Sequence, residues 1–379
     1  MYKVLILGGY GNFGKRIAEL LAMNSNTLLL IAGRNLLKAE YVCHALGQQN
    51  TGGIYQATEL DIYASDFKQK LIDLSPDLVI HTSGPFQGQD FRVPLACIAS
   101  DCHYIDLADD RRFVCDITEL DSKAKEKGLL IVSGASSVPG LSSTVIDHFT
   151  DGFTDLDSID IAIAPGNKAE RGEATVRGIL SYTGHAYKTM QAGHWVDTYG
   201  WMSPRKLDFG RKIGSRWLAN VNIPDLELFP KRYPSLKTAQ FQAGLEVPFL
   251  HLSMVFMAWL AKNKLISNWA PLTKVIMGAS NCFRYFGSDN GAMQVTLKGL
   301  DAEEKWRLVK WTLYAYQGVG PYIPTLSTVI IANKLIKGET VGIGAKPCLG
   351  LYTLTDFDVY ADGLSLFYKT EITPELRRG

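Results

Sequence analysis

Gly9, Gly11 and Gly14 spell GxGxxG inside VLILGGYGNFGKRIAELL, the stretch from Val4 to Leu21. An apolar run enters this turn, Gly8 tightens it, and an amphipathic helix leaves it. The first glycines permit torsions and close approaches denied to other residues, and the third lets the helix lie against its strand. The helix starts at the loop, so its N–H groups and the positive end of its dipole point at whatever sits there. A pyrophosphate fits that site. Gly8, Gly9, Tyr10, Gly11, Asn12, Phe13 and Gly14 are therefore the expected cofactor-binding loop, against the alternative of a glycine-rich turn with no ligand.

The second apolar run ends LLLIAGRN. An NAD-binding domain places Asp or Glu about 20 residues past the glycine loop, on the ribose hydroxyls. Here that place holds Arg34, followed by Asn35. A guanidinium grips a 2′-phosphate that a carboxylate would repel, so NADP is expected over NAD. The competing reading is an exposed arginine that opens a helix after a turn at Gly33. Asp61 either accepts from the adenine amine or caps a helix beginning near Ser65. Ser83, Gly84, Pro85 and Phe86 follow a further strand, where such a turn crosses the ribose next to nicotinamide. His81, inside that strand, reads as a hydrogen-bonded core histidine. Proton handling falls to HYIDLADD, placed beyond the fifth strand: Tyr104 and Asp106, with His103 and Asp110 beside them. Asp106 reads equally well as a cap or an ion-pair partner.

Those residues need a scaffold that brings strand ends to one edge. Apolar runs Val4 to Leu7, Leu28 to Ala32, Ile54 to Leu60, Leu78 to Thr82 and Leu129 to Ser133 alternate with helical segments. That alternation predicts an α/β fold with a Rossmann-type parallel sheet and right-handed crossovers. At 379 residues the chain is too long for one core, and two domains are expected. The first covers 1–134, with a helical region at about 320–350 packing back on it; the second covers 135–379.

The second region has a different grain. GAMQVTLKGLDAEEKWRLVKWTLYAY alternates with period two on both sides of a charged turn and predicts a hairpin. An α+β domain for substrate binding and oligomerisation, with an open mixed sheet capping the nicotinamide end, is the expectation. Arg171, Arg177, Arg205, Arg211 and Arg216 are its candidate cations for a carboxylate or other polar oxygen, and Arg177 is the choice, with His185 at i+8 on the same helix.

Composition excludes several classes. The 39 basic and 38 acidic residues leave a formal charge of +1, with no surplus to drive nucleic-acid binding. Six scattered cysteines form no CxxC pair, which predicts reduced thiols, a cytoplasmic protein and no metal site. Pro248 to Ala261 is apolar but shorter than the roughly 20 residues that span a bilayer. It places Leu252, Val255, Phe256, Trp259 and Leu260 on one face, which predicts a core or subunit-interface helix rather than stable membrane insertion. The one YxxxK spacing, Tyr233 to Lys237, contains Pro234 and argues against a short-chain dehydrogenase helix.

GGYGNFG, AGR, HTSGPF, PLACIASDCHYIDLADD and VSGASSVPGLSS occur in the order found in the saccharopine dehydrogenase-like NADP-binding oxidoreductases, which the chain resembles over roughly residues 1–150. The matching features are Gly84–Pro85–Phe86, Ala96–Cys97, Tyr104 to Leu107 and Pro139–Gly140. Where relatives often continue Thr-Gly-Glu, this chain has Ala108, Asp109 and Asp110, and it has Pro347–Cys348 where they often have Pro-Glu. The resemblance implies a Rossmann domain joined to a substrate domain, a homodimer, and NADP(H)-linked hydride transfer at an amine or imine of a small amino-acid-derived substrate. Enoyl or carbonyl reduction and non-catalytic NADP sensing are the alternatives it leaves open.

Overall fold

The computed structural model describes residues 1–49, 52–210 and 212–374. The chain divides into two compact units: Met1–Leu141 with Tyr322–Tyr360, and Ser142–Pro321 with the segment from Ala361 onward.

The first unit is built on a seven-stranded parallel sheet. Its strands are β1 (Tyr2–Leu7), β2 (Thr27–Gly33), β3 (Ile54–Glu59), β4 (Leu78–His81), β5 (His103–Asp106), β6 (Leu130–Ser133) and a return strand Gly344–Pro347. They lie in the order return strand, β6, β5, β4, β1, β2, β3. Helices cover both faces of such a sheet, so its central strands read as continuous apolar runs rather than alternating ones. Val4 to Leu7, Leu29 to Ala32 and Leu78 to Ile80 are all sealed from solvent. HYID is not beyond the fifth strand; it is itself β5, between β4 and β6. It escapes an apolar-run reading because His103 and Asp106 bracket only two apolar residues.

The first unit continues past residue 134, where the sequence reading placed its end. Ser327 Oγ donates to Ser136 O at 2.8 Å and Thr328 Oγ1 to Ala135 O at 2.7 Å, tying the segment after β6 to the helix Ile323–Ile336. That helix is enclosed from Thr325 to Asn333, and the polar side chains it carries there include the two donors just named. Its start meets α1 (Asn12–Leu21): the Arg16 guanidinium lies 5.2 Å from the Tyr322 ring centre, and Tyr322 OH donates to Glu19 at 2.7 Å.

The second unit carries an open mixed sheet. Its order is Arg205–Asp208, Ser215–Asn220, Thr238–Ala243, Asp155–Ala164, Gly291–Leu300, Trp306–Ala315, Leu366–Pro374. The predicted hairpin pairs from Gly291↔Ala315 to Leu300↔Trp306. Val295, Leu297, Val309, Trp311 and Leu313 fill its covered side. On the helix Pro248–Lys262, His251, Met254 and Ala258 point inward, whereas Phe249, Leu252, Phe256 and Trp259 are exposed. The face assigned to a core or a subunit interface is therefore the outer one in this chain. The helix packs against the strand Ser215–Asn220.

Asp225 is sealed within this unit, where its Oδ1 accepts from Ser142 Oγ and its Oδ2 has no partner among the described residues. Burial raises its carboxyl to about 7, against the pull of the Ser142 bond. An acid raised on folding stabilises the fold fully below its unfolded pKa and loses that contribution as pH rises through the folded value. Asp225→Asn should therefore leave stability near pH 4 almost unchanged. At pH 8 it should raise stability by on the order of 2–4 kcal/mol, read as a higher Tm than the parent's.

Candidate dinucleotide and active site

β1 is flanked by β4 and β2, so the strand order reverses direction at the carboxyl end of β1. Ligands of open α/β sheets bind in the crevice at such a point. The glycine loop sits there. Gly8 has φ +76°, and a Cβ on it would lie 2.8 Å from both Thr82 Oγ1 and Ser83 Oγ. Thr82 Oγ1 donates to Leu7 O at 2.8 Å and Gly8 O at 3.1 Å, locking the loop to the end of β4. Gly8 N and Gly9 N both donate to Ala32 O, at 2.8 and 3.0 Å, locking it to β2. Gly11 is the N-cap of α1 and supplies no side-chain cap, leaving the first-turn amides of Phe13 and Gly14 for an anion. A Cβ on Gly14 would stand 2.3 Å from Gly8 O, so only glycine lets α1 begin so close to the loop. Asn12 turns its side chain back to accept from Arg16.

At the adenosine end, Arg34 is exposed immediately after β2, without an ion-pair or hydrogen-bond partner among the described residues. Gly33 is more than a turn residue: a Cβ on it would meet the Tyr10 ring at 2.4 Å. Tyr10 occupies that gap, and its hydroxyl accepts from Asn35 N at 3.2 Å. The Asn35 side chain caps α2 (Leu36–Gln48) by accepting from Lys38 N at 3.0 Å. Asp61 accepts from Tyr63 N at 3.0 Å, closing a turn ahead of the helix Phe67–Leu74 rather than capping it.

At the opposite end of the crevice, the segment Ser83–Phe86 leaves β4. Gln89 Nε2 donates to Ser83 O at 2.9 Å and Pro85 O at 2.7 Å and so fixes the turn. Phe86 folds inward onto His81, with ring centres 5.0 Å apart, and onto Phe113 at 5.3 Å. His81 Nδ1 lies 3.0 Å from Tyr104 OH, and burial lowers the imidazole pKa to about 3, so the ring is neutral.

Tyr104 and Asp106 have no exposed surface. Asp106 Oδ1 accepts from Ala108 N at 2.8 Å, Ser133 Oγ at 3.0 Å and Gly134 N at 2.8 Å. Burial raises its carboxyl to about 6 despite those bonds, and burial raises the Tyr104 hydroxyl as well. Direct proton exchange with a substrate, expected of both, meets side chains that are sealed inside the strand ends. Asp110, the third expected proton handler, is the N-cap of the helix Arg111–Asp116, accepting from Phe113 N at 2.8 Å. His103 Nδ1 accepts from Leu130 N at 3.0 Å. Sequence reasoning passed over Asp109, a half-buried carboxylate raised by burial and held by Gln87 Nε2 at 3.0 Å. The signal was its departure from the family pattern, next to a glutamine three residues past Gly84.

In the second unit, Arg177 is exposed on the helix Glu173–Tyr182 and has no acidic partner among the described residues. Arg205 is engaged by Asp160 at 2.7 Å and Arg216 by Glu246 at 2.8 Å, and Arg171 donates to Asn167 Oδ1 at 2.6 Å. Arg211 lies outside the described residues. The helix stops at Tyr182, so His185 does not share it; its Nε2 lies 3.0 Å from Ser267 O. No three His, Cys, Asp or Glu side chains cluster as metal ligands among the described residues.

Residues 4–132 match the family model described as Saccharopine dehydrogenase NADP binding domain. The N-terminal segment is a saccharopine dehydrogenase-like dinucleotide-binding domain. Its cofactor is NADP, and the loop, the Gly33 gap and the unpaired Arg34 suit that dinucleotide. Over 98% of this chain and 100% of its own, apo saccharopine dehydrogenase (L-Glu forming) from Saccharomyces cerevisiae shares the fold, with TM-score 0.68 at 15% identity. A short-chain type dehydrogenase/reductase from Mycobacterium ulcerans matches 35% of this chain and 66% of its own, with TM-score 0.30 at 14% identity. A short-chain dehydrogenase from Sphingobium yanoikuyae in complex with NADPH matches 35% and 70%, with TM-score 0.29 at 13% identity. No curated protein sequence matches the chain significantly.

Gly14→Ala drives a methyl into the Gly8 carbonyl, an overpacking that costs about 1–3 kcal/mol. NADPH titrated calorimetrically should bind roughly ten- to a hundredfold more weakly. Gly47→Ala, where a Cβ meets nothing within 4 Å, should bind NADPH like the parent.

Proposed function

We propose that the protein is an NADP(H)-dependent oxidoreductase that moves a hydride to or from a small amino-acid-derived amine or imine. The observation that carries this reading is the partnerless Arg34 beside a glycine loop at the sheet's switch point. A guanidinium there grips a 2′-phosphate by paired, charge-assisted hydrogen bonds. The amine or imine substrate class rests on the likeness to saccharopine dehydrogenase, in sequence over the first domain and in fold over the whole chain.

When bound, NADPH supplies the hydride, and one proton remains for the protein to handle. Asp109 suits that task better than its buried neighbours: it is half-buried, its carboxyl is raised by burial, and Gln87 aims it beside the turn Ser83–Phe86. Asp106 and Tyr104 act as positioning residues in this reading. Asp106 pins Ala108 and Gly134, which fixes the segment bearing Asp109 to β6. Arg177 is the proposed cation for a substrate carboxylate.

Arg34→Asp should weaken NADPH binding by about ten- to a hundredfold, the loss of a charge-assisted hydrogen bond, and NADH binding far less. Equal loss for both would remove the basis for NADP selectivity. Turnover is read as loss of NADPH absorbance with imine, keto-acid and enoyl candidates in parallel; imines should be consumed first. NADPH binding without turnover of any candidate would favour a sensor.

Asp109→Asn should lower kcat with little change in KM. In the parent enzyme, imine reduction should fall as pH rises through the raised carboxyl pKa, because the donor is then ionised; the Asn variant should lose that limb. Asp110→Ala removes a helix cap and should cost about 1 kcal/mol of stability while kcat stays near the parent value.

A further inference from the structure

The second unit exposes a face that the dinucleotide chemistry does not use. Along the helix Pro248–Lys262, Phe249, Leu252, Phe256 and Trp259 recur at intervals of three and four residues and are 62%, 44%, 59% and 47% exposed. The stripe does not end with the helix. Phe249 stacks on Phe283 with ring centres 5.3 Å apart, and Phe283 meets Phe286 at 6.2 Å. Trp269 Nε1 donates to Met257 O at 3.0 Å, fastening the following segment to the same helix. Val275, Tyr285 and Phe286 extend the exposed apolar surface, with Tyr285 91% exposed. Solitary exposed apolar residues are ordinary, but contiguous ones mark an interaction surface.

Charge identifies what it meets. From Val247 to Ser288 the chain has no Asp or Glu, although it carries 38 of them overall. The same stretch holds Lys262, Lys264, Lys274 and Arg284, all exposed. None of the four forms an ion pair with a described residue. Lys262 rests its ammonium 4.3 Å from the Tyr199 ring centre, which leaves its charge uncancelled. Two copies meeting through this face would bring four uncompensated cations against four others, which disfavours self-association. A surface offering apolar depth beneath fixed negative charge satisfies both halves of the pattern. The helix has 15 residues, about 22 Å of rise, too short to cross a hydrocarbon core of about 30 Å. No helix of the described residues is long and apolar enough to cross a membrane. A helix lying in the interface plane, apolar face down and Lys/Arg at the headgroups, needs no such length.

We propose that Phe249, Leu252, Phe256 and Trp259, together with the exposed Lys262, Lys264, Lys274 and Arg284 of the same acid-free stretch, form a peripheral docking surface for an anionic phospholipid bilayer. This is independent of the hydride-transfer reading, since neither Arg34 nor Asp109 takes part. The full chain is floated with vesicles of phosphatidylglycerol and phosphatidylcholine in equal parts, and with vesicles of phosphatidylcholine alone. It should rise with the anionic vesicles at low salt and be released at about 0.5 M NaCl, where charges are screened within a few ångströms. Phe256→Ser with Trp259→Ser should lower the partition coefficient at least about tenfold through lost apolar burial. Lys262→Glu with Lys274→Glu should lower it by a similar factor or more, each basic residue being worth about fivefold. All four changed side chains are exposed, and far-UV circular dichroism and a Tm equal to the parent's verify that the variants are folded. Failure of the parent to float with anionic vesicles at low salt would overturn the proposal, as would equal flotation of parent and Ser variant. A concentration-dependent dimer in sedimentation equilibrium that the Ser variant abolishes would overturn it in favour of a second copy.

Discussion

The first unit depends on one close approach, that of the Gly8 backbone to the end of β4. Any side chain at Gly8 would strike Thr82 and Ser83, and any at Gly14 would strike Gly8 itself. With neither present, the loop folds flat between β1 and β4, and Thr82 bonds it from below. That closure leaves the first amides of α1 without a capping side chain. In the proposed reading an anion would complete what the chain leaves open, and dinucleotide affinity and local packing would then be two consequences of the same absence of atoms.

The parallel sheet was legible because its strands are buried on both faces, which forces continuous apolar runs that no helix of that length would need. Arg34 stands exposed at the end of β2, twenty residues past Gly14. What escaped has a common cause. β5 and the return strand Gly344–Pro347 are short and carry His103, Asp106 and Lys346, so hydropathy does not mark them; only pairing with β6 and β4 does. The apolar stripe of the helix Pro248–Lys262 left a core and a subunit interface both open, because amphipathicity says which face is apolar and not what covers it; the core alternative is the one its exposure removes. The hairpin Gly291–Leu300/Trp306–Ala315 was free of that ambiguity, since period two and a charged turn fix both its strands and its register.

Within the candidate site, residue spacing alone does not sort the side chains of HYIDLADD by burial. HYIDLADD holds five polar side chains, His103, Tyr104, Asp106, Asp109 and Asp110, and their spacing cannot tell which point inward. β5 lies in the middle of the sheet, so Tyr104 has to be enclosed, and its hydroxyl is satisfied by the neutral His81. Asp106, at the strand end, is the joint at which the chain leaves the sheet: one carboxylate oxygen collects two backbone amides and the Ser133 hydroxyl. Removing it would leave those amides without an acceptor, a larger penalty than the single bonds suggest. The conversion of a family Gly-Glu into Asp109–Asp110 then has a structural sense, because Asp110 takes the helix cap and Asp109 is left for Gln87 and the turn.

A buried carboxyl raised toward neutrality costs stability whenever it ionises, and two among the described residues, Asp106 near 6 and Asp225 near 7, are fully enclosed. They are not equivalent. Asp106 repays its burial through backbone donors that only a carboxylate at that strand end can collect together, whereas Asp225 has a single hydroxyl donor and an oxygen left without a partner. The first therefore belongs to the architecture of the dinucleotide crevice. The second is a local cost that an amide of the same shape would avoid, and it falls in the other unit, whose own packing it serves.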